Sequence, residues 1–305
     1  DINLANKEKI INQLKLQRQK KNYKISGKNF YIKDIIDQIN NNDNLSKSIF
    51  DNLNTIIDIN ISKIYLDPKN FVNNFSGNII YKKNKIYKSD LVSTFPNNKK
   101  LNLTINTNEN NEKITTIYSE NPKPLLSSYK FIKGFEEGIL DFYSVKRNNV
   151  SESVLKISDF KIQEVPVLAK LLTLASLQGI ADLLTGEGIR FDDFELKFTS
   201  KDKLMRIDEL YAIGPAISIM MEGYIEKDNL ISLKGTLVPA TTINRTIASI
   251  PLLGNILVGK KVGEGVFGVS FKIKGPKDKL KTTVNPIKTL TPRFITRTLE
   301  KLKKN

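Results

Sequence analysis

The sequence predicts a mainly β protein with a few helices, an elongated antiparallel meander. Three observations carry this reading. Segments of about ten residues alternate apolar and polar side chains at period two over most of the chain, the spacing that turns one strand face inward and the other outward. Asn or Gly stands at most joints between them, residues that accept the backbone angles of tight hairpins. Helical patterns enter at only three or four places, which argues against alternating βαβ units. With 305 residues the chain can bury a large core, and chains beyond about 250–300 residues tend to divide or elongate.

In chain order, residues 3–23 place Ile10, Ile11, Leu14 and Leu16 among lysines and glutamines, a short helix or a frayed continuation of an upstream region. Residues 30–54 (FYIKDIIDQINNNDNLSKSIFDNLN) are helix-compatible. Strand patterns then dominate. TIIDINISKIYL alternates Ile57, Ile59 and Ile61, NIIYKKNKIYKSDLVSTF reads as a hairpin turning at Lys83 and Asn84, and KKLNLTINTN alternates Leu101, Leu103 and Ile105. ITTIYSE, GILDFYSVKR and SVLKISDFKIQ continue the series. Residues 166–184 form the best helix of the chain, with Pro166 in its first turn and Gly186 and Gly188 beyond its end.

Four strands follow, FDDFELKF, KLMRIDELYAI, AISIMMEGYI and NLISLKGTLV. Phe194, Leu196 and Phe198, then Ile217, Ile219 and Met221, then Ile231, Leu233 and Leu237 make their apolar faces. The opposite faces carry Asp193, Glu195, Lys197, Ser232 and Lys234. A second short helix is expected over residues 241–249. The strand GVFGVSFKIKG then sets Phe267, Val269, Phe271 and Ile273 on one side, and TPRFITRTLEKLKK closes the chain as a basic amphipathic helix. The count is about a dozen strands.

Asn supplies 27 of the first 150 residues and 5 of the remaining 155, a shift in character near Asn148 and Asn149. Three regions are expected: residues 1–54, a partly helical N-terminal continuation of an upstream region; 55–160, a β-meander repeat; and 161–305, a β region with inserted helices and the C-terminal amphipathic helix.

The net charge of +16 invites nucleic acid or anionic lipid as a partner. The cations are 41 Lys and only 7 Arg, and no helix-turn-helix, RNA-recognition or zinc-finger pattern is present, so nucleic acid is not expected. His, Cys and Trp are all absent. The chain thereby lacks the commonest general base, the thiol nucleophile and the usual soft metal ligands, and no Ser elbow or acid-pair spacing replaces them. The expectation is a non-enzymatic protein with no cofactor and no metal. Zero cysteine fits reducing and oxidising compartments alike. Lys170 and Asp182 interrupt the longest apolar stretch, residues 165–191, so it does not read as a membrane span. Starting at Asp1, the chain reads as the C-terminal piece of something longer, with any anchor upstream.

The strings ISDFKIQEVPVLAKLLTLASLQGIADLLTGEGIRFDDFELKF, YAIGPAISIMMEGYI, GTLVPATTINRTIASIPLLGNILVG, GEGVFGVSFKIKGP and VNPIKTLTP resemble, in order and spacing, the AsmA-like C-terminal region of YhdP-type bacterial envelope proteins. Order and spacing resemble the versions in alphaproteobacteria, and TamB is a more distant relative. The resemblance is specific over residues 158–293, looser upstream at ITTIYSENPKPLLSSYKFIKGFEEGILDF, and does not reach the first fifty or so residues. One departure is the ending TPRFITRTLEKLKK, where family chains often carry Gly-Phe-Leu. The resemblance implies a β-groove: a long, strongly curved antiparallel sheet with an apolar concave face. It also implies a periplasmic protein anchored to the inner membrane through an N-terminal helix not present in this chain, carrying phospholipid toward the outer membrane.

Each feature also has a plainer reading. The apolar strand faces are an ordinary core or the lining of a groove, and the 166–184 helix is a core helix, a plug, or a membrane-surface segment. In the terminal helix Arg293, Phe294, Arg297 and Lys301 face a membrane or lie in a solvated tail. GEGVFG lacks the Lys-Ser/Thr of a phosphate-binding loop and reads as a turn, as does Asn285–Pro286. Asp192, Asp193 and Glu195 read as outer-face charge before a cation site. The function expected is lipid transport through an apolar groove, lined by the strand residues from Phe194 to Ile273 named above. Its partners would be phospholipid and a membrane surface or outer-membrane component, with the oligomeric state open. The alternative is a scaffold for outer-membrane biogenesis acting through protein partners.

Overall fold

The computed structural model describes residues 2–5, 11–32, 54–83, 85–126, 133–163, 165–175, 177–226, 230–239, 268–276 and 279–287. Among them the chain forms sixteen strands and three helices: β1 Ile2–Ala5, β2 Ile11–Gln19, β3 Asn22–Tyr31, β4 Thr55–Tyr65, β5 Phe71–Lys82, β6 Lys85–Thr94, β7 Lys100–Thr107, β8 Lys113–Ser119, α1 Lys123–Leu126, β9 Lys133–Arg147, β10 Val150–Gln163, α2 Pro166–Leu174, α3 Gln178–Thr185, β11 Ile189–Lys201, β12 Leu204–Ile213, β13 Ile217–Glu226, β14 Ile231–Pro239, β15 Gly268–Gly275 and β16 Lys281–Ile287. Strand order in the sheet is chain order from β1 to β16. The mainly β, meandering fold expected from the alternation is the fold observed. One pairing departs from it: β3 and β4 run parallel, Ile25 opposite Ile59.

The chain divides into two compact units, the first comprising Asp1–Ser128 with Gly138–Ser151 and the second Tyr129–Glu137 with Glu152–Asn305. In the first, β4 alternates as its isoleucines require: Ile57, Ile59 and Ile61 are covered while Ile56, Asp58 and Asn60 are exposed. Ile61, Ile64, Val72 and Phe95 form its buried cluster, against which Leu14, Ile25, Phe30 and Phe75 pack.

Tight turns put Asn or Asp in left-handed backbone at two places and Lys at two others. Two-residue connections at 20–21, 83–84, 148–149 and 202–203 each begin with a residue near φ +50°: Lys20 (57°), Lys83 (48°), Asn148 (52°) and Asp202 (51°). The hairpin expected at Lys83 is closed by the Lys82–Lys85 pair.

Several expectations are corrected. Residues 3–23, weighed as a short helix, contain β1, β2 and the start of β3 instead. Leu14 and Leu16 stand at strand spacing, and Leu14 packs on the buried cluster of the first unit, a use of period two that the flanking lysines and glutamines obscured. Phe30 and Tyr31 end β3, and the remainder of the helix expected over 30–54 lies almost wholly outside the described residues. The helix expected over 166–184 is two helices. At the break Ala175 N–H donates to Leu171 O and Leu177 N–H to Leu172 O, both at 2.9 Å, closing the first helix before the second begins. A stretch apolar on most of its circumference buries more by turning than by running straight: Leu168, Leu171 and Leu172 of α2 and Ala181 and Leu184 of α3 are all buried. Asn285–Pro286, read as a turn, lies inside β16. Proline is tolerated there because β16 is the last strand in the sheet order, where a missing N–H breaks no further ladder. The helices expected over 241–249 and from Pro292 onward lie outside the described residues.

Candidate functional site

The strands of the second unit are built around a stack of phenylalanines. Phe160 on β10 is 4% exposed. Its ring stacks on Phe135 of β9 at 5.2 Å and on Phe191 of β11 at 5.5 Å, and meets Phe194 edge-on at 6.2 Å.

From Phe194 onward the antiparallel register aligns side chains into rows. One row runs Phe194, Ala212, Ile219, Leu237, Val269. The next runs Leu196, Leu210, Met221, Gly235, Phe271, Val284, and a third Phe198, Ile207, Gly223, Leu233, Ile273. Ile225 and Ile231 pair beyond them, and Ile217 pairs with Pro239 at the opposite end. The three rows and the pairs at either end, which contain no charged side chain, hold twelve of the candidates: Phe194, Leu196, Phe198, Ile217, Ile219, Met221, Ile231, Leu233, Leu237, Val269, Phe271 and Ile273. Phe267, Arg293, Phe294, Arg297 and Lys301 lie outside the described residues.

Burial along this face is uneven. Ile217, Leu237, Val269, Phe271 and Ile273 are buried, whereas Ile219, Met221, Ile231 and Leu233 are only half-buried. Gly235 makes room within its row, since a Cβ there would stand 2.5 Å from Cζ of Phe271. Helix α2 packs on α3 and comes against β16, while α3 lies beside β11.

The opposite face carries the charges, several of them paired, with Tyr211 and Val238 buried among them. Lys197 Nζ lies 2.8 Å from Glu195 Oε1 and 3.7 Å from Glu209 Oε2, Lys156 Nζ lies 3.8 Å from Glu195, Arg206 Nε lies 2.7 Å from Asp208, and Lys234 Nζ lies 3.0 Å from Glu222. Among the described residues no group of three or more acidic side chains is placed to hold a metal ion. Glu195, weighed as part of a cation site with Asp192 and Asp193, is held by two lysines.

A cavity of about 390 Å³ opens mostly on this polar side, lined by Asp208, Glu209, Met220, Glu222, Lys234, Thr236, Ser270, Lys272, Thr283 and Asn285, with Met221, Gly235 and Phe271 also touching it. The sequence reading missed it. Its residues are the outward alternates of strands chosen for their inward ones, and the available signal was the recurrence of Ser, Thr, Asn and Lys at those alternates. Among the described residues no helix is long and apolar enough to cross a membrane. Comparison with family models, curated proteins and solved structures gives no match.

Proposed function

We propose that the second unit holds the acyl chains of phospholipid in an apolar groove and passes lipid between the inner and outer membranes of a bacterial envelope, without chemistry. The observation that carries this reading is the registered apolar face, whose rows run across β11 to β15 with no charge in them. Taking a 16-carbon chain through water costs on the order of 12 kcal/mol at about 0.8 kcal/mol per CH₂, a cost that continuous apolar lining removes. The half-buried residues Phe194, Leu196, Phe198, Ile219, Met221, Ile231 and Leu233 have surface left to offer on that face.

The position of α2 supports a curved sheet. Helix α2 begins three residues after β10 ends, is about 13 Å long, and comes against β16, six strands further on. A sheet bent around the helix pair brings its two sides within that reach, with α2 and α3 as a plug at the end where Ile217 and Leu237 are buried. The AsmA-like resemblance adds the periplasmic setting and an upstream inner-membrane anchor. In this reading the basic terminal segment, with Arg293, Phe294, Arg297 and Lys301, meets anionic headgroups.

Native mass spectrometry with lipid extraction, on the full chain expressed in a bacterial host, tests the proposal. Ile219→Glu and Met221→Glu are the informative variants, because a charge at fully buried Ile217 or at Phe271 would unfold the unit. The expected result is phospholipid at reproducible stoichiometry, lost in both variants while their circular dichroism and melting cooperativity are retained. A folded, lipid-free wild-type chain overturns the conduit and turns the search to capture of an outer-membrane protein partner.

A further inference from the structure

We infer that the cavity on the polar face is a binding site for a phosphate-bearing ligand, distinct in its chemistry from the apolar rows that it touches at Met221, Gly235 and Phe271. Two registered rows form it. Met220, Thr236, Ser270 and Asn285 make one, and Glu222, Lys234, Lys272 and Thr283 the other. Lys234 and Lys272 are direct cross-strand partners, a like-charge juxtaposition that weakens a sheet and that a bound anion between them would relieve.

The three carboxylates of the cavity are all in ion pairs: Asp208 with Arg206, Glu222 with Lys234, and Glu209 with Lys197, which it shares with Glu195, itself 3.8 Å from Lys156. Lys272 has no carboxylate partner among the described residues, and Lys274 and Lys281 stand opposite each other in the next row. The uncompensated charge is therefore positive. It sits beside short hydroxyl and amide side chains that donate to oxygen, Thr236, Thr283 and Asn285, while the Ser270 hydroxyl donates to the Asn285 backbone oxygen. Ammonium groups with converging hydroxyl donors are the chemistry that binds a tetrahedral oxyanion. The same chemistry serves a lipid headgroup or a small phosphorylated solute.

The test is an amide NMR titration of the full chain with inorganic phosphate at constant ionic strength. Saturable shifts are expected at Ser270, Lys272 and Thr283. Lys272→Gln combined with Thr283→Val should weaken binding at least tenfold, while Lys201→Gln, an exposed lysine outside the cavity, should leave it unchanged. Glu222→Gln frees Lys234 and should tighten binding several-fold, an effect that loss of a merely structural ion pair would not produce. Vesicles of phosphatidylglycerol against phosphatidylcholine identify the source: perturbation of the same amides by the anionic vesicles alone assigns the site to a headgroup, and saturation by phosphate without it assigns a soluble ligand. Shifts that grow linearly without saturating, or that survive the Lys272→Gln, Thr283→Val pair, overturn the inference.

Discussion

Phe160 touches three other phenylalanines at ring-centroid distances of 5.2, 5.5 and 6.2 Å, so its removal opens a void walled by aromatic rings from β9 and β11. Phe160→Ala is expected to cost about 3–5 kcal/mol, read as a shift of the denaturant midpoint. Glu112 sits in the turn after β7, where its carboxylate accepts from the Arg147 guanidinium and from the Asn108 amide, contacts that hold it below the ordinary glutamate range. A carboxylate with a pKa lowered by folding favours the folded state above its unfolded pKa, and that contribution disappears as pH falls through the folded value. The protection factors of amides in residues 108–112 and at the Arg147 end of β9, each taken against the intrinsic exchange rate at that pH, should therefore be higher at neutral pH and fall in acid. Glu120, lowered chiefly by the Lys100 backbone N–H, acts in the same direction. In Glu112→Gln the acid-dependent fall in protection at the 108–112 turn should vanish, while the rest of the chain keeps its profile.

At the scale of elements, Gly235 shows how one missing Cβ lets two strands share a face: the Phe271 ring occupies the space on the neighbouring strand. Gly235→Ala sets its Cβ 2.3 Å from the Met220 backbone oxygen as well as 2.5 Å from the Phe271 ring and is expected to destabilise by about 1–3 kcal/mol, measured by thermal melting, with Phe271→Leu in the same chain relieving the ring contact but not the backbone one. Element identity was legible wherever alternation ran uninterrupted. The strands from β4 through β15 follow the period-two runs of Ile, Leu, Phe and Val closely. It was illegible where a local signal was ambiguous. Asn285–Pro286 carries turn chemistry, and only its place at the end of the strand order makes it a strand. The break between α2 and α3 has no proline or glycine at it, because the buried leucines of the two halves decide the bend rather than a local breaker.

The whole molecule carries +16, nearly all from lysine. Such a charge predicts adsorption to anionic vesicles at low ionic strength that falls away above about 0.15 M salt, where the Debye length is near 8 Å, as cosedimentation would show. Phosphate binding in the polar cavity, followed at constant ionic strength, should by contrast saturate. By itself the sequence determined the β class, the position of most strands, the turn residues between them and which alternates are apolar, because these depend on period and on backbone preference within about ten residues. It also supplied twelve of the apolar-face residues, though not their alignment. Register decided that: pairing Phe194 through Ala212, Ile219 and Leu237 to Val269 joins five local patterns into one surface. The parallel β3–β4 pair, the contact of α2 with β16 and the polar cavity were decided by tertiary structure alone. Each depends on which distant segments lie side by side, and no local periodicity encodes that.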